Sequence, residues 1–278
     1  MTCEVMGAHT GARYGASMTR SHVGPLLRDW RHRRHRSQMD VALGAGVSPR
    51  HLSFVETGKS RPSPELLLTI AEHLEVPLRE RNDLLVAAGH APHYPRTPLD
   101  DESMTTIRAS LQRMLDAHDP YPGVVVDRCW NVVVSNHAAR LLLADIPAHV
   151  LTPTINVFRV CLHPDGLAGR TANFGEWSRY LLGQLQRTRS LTGDPAVAEL
   201  DAEVRSHPNV VALDGERVPV GDEPGLLVPF VVDLGGRRLS MFTTLTTFGT
   251  PRDVTLDELA VELFFPADDD TERALRAQ

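Results

Sequence analysis

Apolar residues recur at helical spacing in the first third of the chain, and at alternating or continuous spacing further on. Val23, Leu26, Leu27 and Trp30 stand three or four residues apart with Arg, Asp and His between them, which predicts an amphipathic helix. Ser37, three residues ahead of Asp40, makes a capping-box pair and opens a short helix to about Ala45, ended by Gly46. Ser48-Pro49 and Ser63-Pro64 are N-cap and first-turn signals for two further helices. The first turns Leu52 and Val55 inward and stops at Gly58; the second buries Leu66, Leu67, Ile70, Ala71 and Leu74. After Pro77 a fifth helix carries Leu84, Leu85 and Ala88 and closes at Gly89. These short helices predict a compact all-α domain over residues 20–90, preceded by a tail, residues 1–19, that has no apolar period.

Pro92, Pro95 and Pro98 make residues 91–103 a stiff linker. A helix with Met104, Ile107, Leu111, Met114 and Leu115 on one face follows. Gly123-Val-Val-Val-Asp127 and Trp130-Asn-Val-Val-Val134 read as a β-hairpin, and Asn136 caps a helix through Leu143. Another helix begins at Asn173 with Phe174, Trp177, Leu181 and Leu185 inward, and Asp194-Pro195 starts one more. Apolar runs at 226–232 and 238–246, separated by Gly235-Gly236, suggest a second hairpin. Residues 104–267 therefore form a mixed α+β domain, with 268–278 as a C-terminal tail.

A length of 278 residues suits two domains, and 42% hydrophobic with 23% charged residues suits a globular protein. The chain lacks both the ~20-residue apolar run of a membrane span and an apolar secretory leader, so a cytoplasmic protein with no membrane partner is expected. Cys3, Cys129 and Cys161 are odd in number and form no CxxC pair, which fits neither a disulfide framework nor a zinc cage. Charge is unevenly spread. The net charge is −6, yet Arg20 to Arg61 carries nine basic residues against three acidic ones, leaving +6 there and −12 elsewhere. A basic module joined to an acidic one points to a polyanionic partner for the first.

Gln38-Met-Asp-Val-Ala-Leu-Gly-Ala-Gly-Val-Ser-Pro-Arg-His-Leu-Ser-Phe-Val55 has the spacing of a helix-turn-helix. Ala42 lets two helices cross closely, Gly46 supplies a left-handed turn residue, and Leu52 and Val55 pack the second helix down. The first turn of that second helix is the part that meets base edges in the major groove of double-stranded DNA. Arg50 is the candidate for direct readout, because arginine can bond guanine bidentately. Gln38, Ser48, His51 and Ser53 are candidates for phosphate or base contacts, Pro49 for apolar contact, and Lys59 and Arg61 for phosphates.

This segment, with Glu56-Thr-Gly-Lys-Ser-Arg-Pro-Ser63 after it, resembles the XRE/Cro-type helix-turn-helix family. The resemblance implies a five-helix, lambda-repressor-like fold in which Glu56 braces the structure. Further motifs resemble the MmyB-like regulators: Leu84-Leu-Val-Ala-Ala-Gly-His-Ala-Pro92, Tyr121-Pro-Gly-Val-Val-Val-Asp-Arg-Cys-Trp-Asn131, Leu162-His-Pro-Asp-Gly166, Thr246-Thr-Phe-Gly-Thr-Pro251 and Phe264-Phe-Pro-Ala267. That likeness implies a PAS-like C-terminal domain, which in some relatives is associated with bound fatty acid.

Trp130, Phe158, Phe174, Trp177, Leu181 and Phe242 are the candidates to line a site for a small apolar ligand. His163 and Asp165, flanking Pro164, read as a turn rather than a metal site. The chain carries no GxSxG, phosphate-cradling glycine loop or HExxH. No catalytic residue, metal or cofactor is expected beyond a bound fatty acid or similar effector. The function expected is a homodimeric, non-enzymatic transcription regulator on a pseudo-palindromic operator. The alternatives are a lipid-binding or acyl-processing protein with a DNA-targeting module, and an antitoxin-like interaction protein.

Overall fold

The computed structural model describes residues 23–215 and 226–277, so the predicted tail at 1–19 lies outside the described residues. The chain divides into two compact units. One comprises residues up to Leu74 together with Asp83–Ala91; the other comprises Glu75–Asn82 and everything from Pro92 on.

In the first unit, α1 (Val23–Arg33), α2 (Gln38–Gly44), α3 (Pro49–Glu56) and α4 (Pro64–His73) are joined by the second half of α5 (Leu78–Ala87). Local chemistry sets the boundaries. Ser37 accepts from the Asp40 amide while the Asp40 carboxylate accepts from the Ser37 amide, completing the capping box. Ser48 and Ser63 cap α3 and α4 through the amides of His51 and Leu66. Gly46, at φ +66°, makes the left-handed turn between α2 and α3. Leu27, Trp30, Val41, Ala42, Leu52, Val55, Leu67 and Ile70 form the interior. Leu26, expected inward, is exposed, because it sits ~100° around α1 from the buried Leu27.

The predicted boundary at residue 90 differs from the observed division, which runs through α5. Its first turns are tied into the second unit: the Leu78 amide donates to Asp257 Oδ2, and Arg79 pairs with Glu258. The predicted linker is also fastened. Thr97 donates through both its amide and hydroxyl to Asp253 Oδ2, and the Val254 amide donates to the Pro95 carbonyl.

The second unit is built on a five-stranded sheet in which every pairing is antiparallel, in the order β2-β1-β5-β4-β3. The strands are β1 (Gly123–Val126), β2 (Val132–Ser135), β3 (Phe230–Leu234), β4 (Arg237–Thr247) and β5 (Ala260–Pro266). The predicted hairpins β1–β2 and β3–β4 are present; the central strand, β5, was not anticipated. With this sheet and its helices the unit is the expected PAS-like α+β fold, and the chain as a whole is α+β with two domains.

Alternation along the strands separates two apolar layers. Val125 and Val261 pack with Leu111, Leu115 and Leu259, so α6 (Thr105–Asp116) covers one face. Met114, expected on the inner face of α6, points outward. The other face, with Val126, Phe230, Val232 and Met241, holds the larger core. There it meets α9 (Val157–Leu162), α10 (Phe174–Thr192) and α11 (Pro195–Arg205), after the short α7 (His137–Leu142) and α8 (Ala148–Leu151). The short helices α12 (Pro208–Val211) and α13 (Val254–Asp257) complete the connections. Asn136 is fully buried: its Oδ1 accepts from Gly123 and Ala139 while its Nδ2 donates to the Tyr121 carbonyl, locking β1 to the start of α7.

Residues 268–277 are not a tail. Asp268 caps α14 (Asp269–Arg276) by accepting from the Thr271 amide, Leu275 is buried, and Thr271 Oγ1 accepts from the Ser240 amide of β4. Asp269, Asp270 and Glu272 stand in the first turn, where negative charge favours the start of a helix.

One close approach sets a test of the helical unit. A Cβ at Gly24 would stand 2.4 Å from the Glu56 carbonyl oxygen. Although Gly→Ala inside a helix normally gains ~1 kcal/mol, Gly24→Ala is expected to destabilise this unit by about 1–3 kcal/mol. Urea unfolding followed by circular dichroism would measure it.

Candidate nucleic-acid interface and ligand core

The first unit is organised around a buried carboxylate. Glu56, 3% exposed at the end of α3, accepts from Arg31 Nε at 2.7 Å and Nη2 at 3.0 Å, and from Gln38 Nε2 at 2.8 Å. Arg28 Nε lies 3.7 Å away. Burial pushes the Glu56 carboxyl up, but the bonds from Arg31 and Gln38 and the charges of Arg31 and Arg28 outweigh it, leaving it below the ordinary value. The pairings join α1, the start of α2 and the end of α3, and so fix how α3 is presented.

What α3 presents is its first turn. Pro49 and Arg50 are exposed, and His51 and Ser53 are half-buried. The Ser48 hydroxyl is occupied as the cap. Arg50 Cζ lies 5.4 Å from the ring centre of Phe54, and Lys59 Nζ lies 5.8 Å from the same ring. Phe54 thus carries the two cations side by side, a cation–π platform on the outer face. Sequence reasoning passed over it, although Arg50 and Phe54 stand at i, i+4.

Two predicted contacts also make bonds within the fold. Gln38 turns its amide inward onto Glu56. Arg61 donates to the Ala88 and Gly89 carbonyls at 2.8 Å each, capping the end of α5. Both brace the fold through these bonds. The exposed candidates are Ser48, Pro49, Arg50, Lys59 and Arg61, with Gln38, His51 and Ser53 half-buried.

In the second unit, five of the six predicted apolar residues meet in one cluster. Trp130, Phe158, Trp177 and Leu181 are buried together, with half-buried Phe174 against them. Trp130 and Phe158 meet edge to face at 5.1 Å, and Trp177 lies 5.1 Å from Phe230. Phe242 does not join them. It pairs with Phe265 across the β4–β5 ladder and stacks on that ring at 5.5 Å, beside His118, on the opposite face of the sheet. One-residue parity along β4 decides the matter.

The β1–β2 turn brings Trp130 into this core. Asp127 Oδ1 accepts from the amides of Cys129 and Asn131, and Trp130 takes a left-handed φ of 62°. Arg128, in the same turn, reaches Glu80 Oε1 at 2.6 Å, Asp194 Oδ2 at 2.7 Å and Glu258 Oε1 at 3.0 Å. Burial works against its charge, but the bonds from Glu80 and Glu258 outweigh it and hold the guanidinium charged. Sequence offered no signal for this node, since its members come from four separate segments.

His163 and Asp165 form the expected turn: the Asp165 amide donates to His163 Nδ1 and the Gly166 amide to the His163 carbonyl. The fold adds His149, whose Nε2 bonds Asp165 Oδ2 at 3.0 Å. Cys129 and Cys161 are unpaired, and burial pushes their thiols up to about 11 and about 12. Among the described residues no helix is long and apolar enough to cross a membrane.

A helix-turn-helix that offers Arg50 on an outward first turn, with Lys59 just past the end of the same helix, joined in one chain to a PAS-like unit, defines a two-domain transcription regulator. The helix-turn-helix family model matches residues 27–81, and that of the MmyB-like transcription regulator ligand binding domain matches residues 107–277. The second match takes in well over half of the sequence, and the chain belongs to the MmyB-like transcription regulators. It is also similar to the Transcriptional regulator ClgR of Mycobacterium tuberculosis, from strains CDC 1551 / Oshkosh and ATCC 25618 / H37Rv. Each is 40% identical over 63 residues, which are 23% of this chain and 56% of the relative. The chain thus spans about half the length of these curated relatives.

Removing the Glu56 carboxylate leaves Arg31 buried without its partner, so Glu56→Ala is expected to cost about 3–5 kcal/mol. Because the folded carboxyl titrates below its ordinary value of 4.5, the stabilisation is complete above that value and is lost as pH falls through the folded one. The stability gap between wild type and Glu56→Ala, from denaturant titrations, should narrow only on the acidic side.

Proposed function

We propose that the chain acts in the cytoplasm as a homodimer on a pseudo-palindromic DNA operator, and that a small apolar effector in its second unit changes operator affinity. The observation that carries the DNA reading is the Arg50–Phe54–Lys59 platform on the exposed face of α3, held by the buried Glu56 pairings. Arg50 reads a base edge, and Lys59 takes a phosphate. A dimer supplies two such helices about one helical turn of DNA apart, which is why the operator is expected to be two-fold related.

The aromatic cluster around Trp130, Phe158 and Trp177 supports an apolar effector. A molecule with a long aliphatic chain fits its composition. Such an effector regulates only if it binds the DNA-competent and DNA-incompetent states with different affinity. We read the protein as a sensor and not an enzyme, because its two units match a DNA-binding and a ligand-binding domain of regulators.

Arg50→Ala is expected to cost about 1–3 kcal/mol of operator affinity and to relax preference at one base position. Lys59→Ala should weaken all duplexes alike and lower the salt dependence by about one counterion. Fluorescence anisotropy against operator and scrambled duplexes would separate the two; unchanged affinity and sequence preference in Arg50→Ala would reject the readout role.

A further inference from the structure

Glu262 is a carboxylate in the wrong place for an ordinary strand residue. It lies in the central strand β5, opposite Val124 of β1 and Leu245 of β4, and is 5% exposed. Its strand neighbours Val261 and Leu263 face the α6 layer, whereas Ala260, Phe264 and the facing Val124 belong to the larger core. Strand parity therefore sends the Glu262 side chain into the layer that holds Trp177 and Phe158.

No cation among the described residues answers its charge. Oε2 is buried with no hydrogen-bond partner, and none of the ion pairs among the described residues includes Glu262. Burial pushes the carboxyl up to about 7, against a smaller pull from the Thr243 hydroxyl, so the neutral form is within easy reach. A second orphan lies in the same layer. Trp177 Nε1 is buried without a partner, and Cys161, whose thiol stands beside that N–H and feels the Glu262 carboxylate, is a weak acceptor. A carboxyl oxygen and an indole N–H left unsatisfied in an apolar core each cost about 1–3 kcal/mol unless something bonds them.

We propose that Glu262 and Trp177 form the polar end of the effector site, and that the effector is an apolar molecule with an uncharged oxygen head group, a hydroxyl or a carbonyl. This rests on the reading of the second unit as a sensor of apolar molecules and adds the chemistry of the head. A hydroxyl accepts from Trp177 Nε1 while donating to Glu262; a carbonyl accepts from Trp177 and from the neutral carboxyl. An anionic head would bury a negative charge beside a carboxyl with no cation to balance it. An ammonium could pair with ionised Glu262 but has no lone pair to accept from Trp177.

The test titrates the full-length protein at about pH 6 with octan-1-ol, octan-2-one, octanoate, octylamine and headless octane, read by tryptophan fluorescence. Octanol and octanone should bind at least about tenfold tighter than the other three, a preference worth roughly one buried hydrogen bond. Glu262→Leu should erase that preference. Glu262→Gln, which keeps an acceptor and a donor in place, should retain it, and thermal unfolding shows whether both variants are folded. Tighter binding of octanoate or octylamine overturns the proposal, as does equal binding of octane or an unchanged octanol affinity in folded Glu262→Leu. Each of those results leaves the apolar-sensor reading standing. Failure of all five probes to bind overturns both.

Discussion

The buried carboxylate of Glu56 is the constraint on which the helical unit depends. A charge at 3% exposure is tolerable only because Arg31 and Gln38 direct three hydrogen bonds at it. Those bonds tie the last turn of α3 to α1 and to the first residue of α2, leaving α3 few ways to pack. The functional consequence lies at the other end of the same helix. With its C-terminal end fixed and its Ser48 cap formed, α3 can only present Pro49, Arg50 and the Phe54 ring outward. Neither Arg31 nor Gln38 need touch DNA to matter for reading it.

A comparable rule governs the second unit, where parity along strands decides which chemistry meets. One residue separates Phe264, in the large core, from Phe265, stacked on Phe242 on the far face. The same alternation carries Glu262 into the aromatic layer rather than to the α6 side. A turn held by Asp127 sets Trp130 into that layer while Arg128, two residues earlier, engages three carboxylates. Burial of such a guanidinium is stable only with its partners in place, so the turn has little freedom.

Much of this was legible in the residues. Serine caps, first-turn prolines and Gly46 placed α2, α3 and α4 nearly to the residue, because these signals act locally. The outward first turn of α3 followed from the same logic. Less visible were features that depend on tertiary partners. The strand β5 reads as an apolar run broken by a glutamate, and only its pairing between β1 and β4 reveals a central strand. Gln38 and Arg61 have the composition of DNA contacts, and only the fold reveals that they also donate to Glu56 and to the carbonyls ending α5. Phe242 is aromatic and lies in an apolar run, but its register turns it away. Residues 268–278 read as a tail because the burial of Leu275 depends on the sheet beneath it.

Reading of DNA depends on α3 displaying a first turn, led by Arg50, that is shaped for a duplex groove. Selection of full-length protein against a random duplex library at modest salt, with and without added apolar effectors, tests it most directly. Enrichment of a sequence with two related half-sites about ten base pairs apart, centre to centre, is expected. Recovery of no preferred sequence under any of these conditions would contradict it.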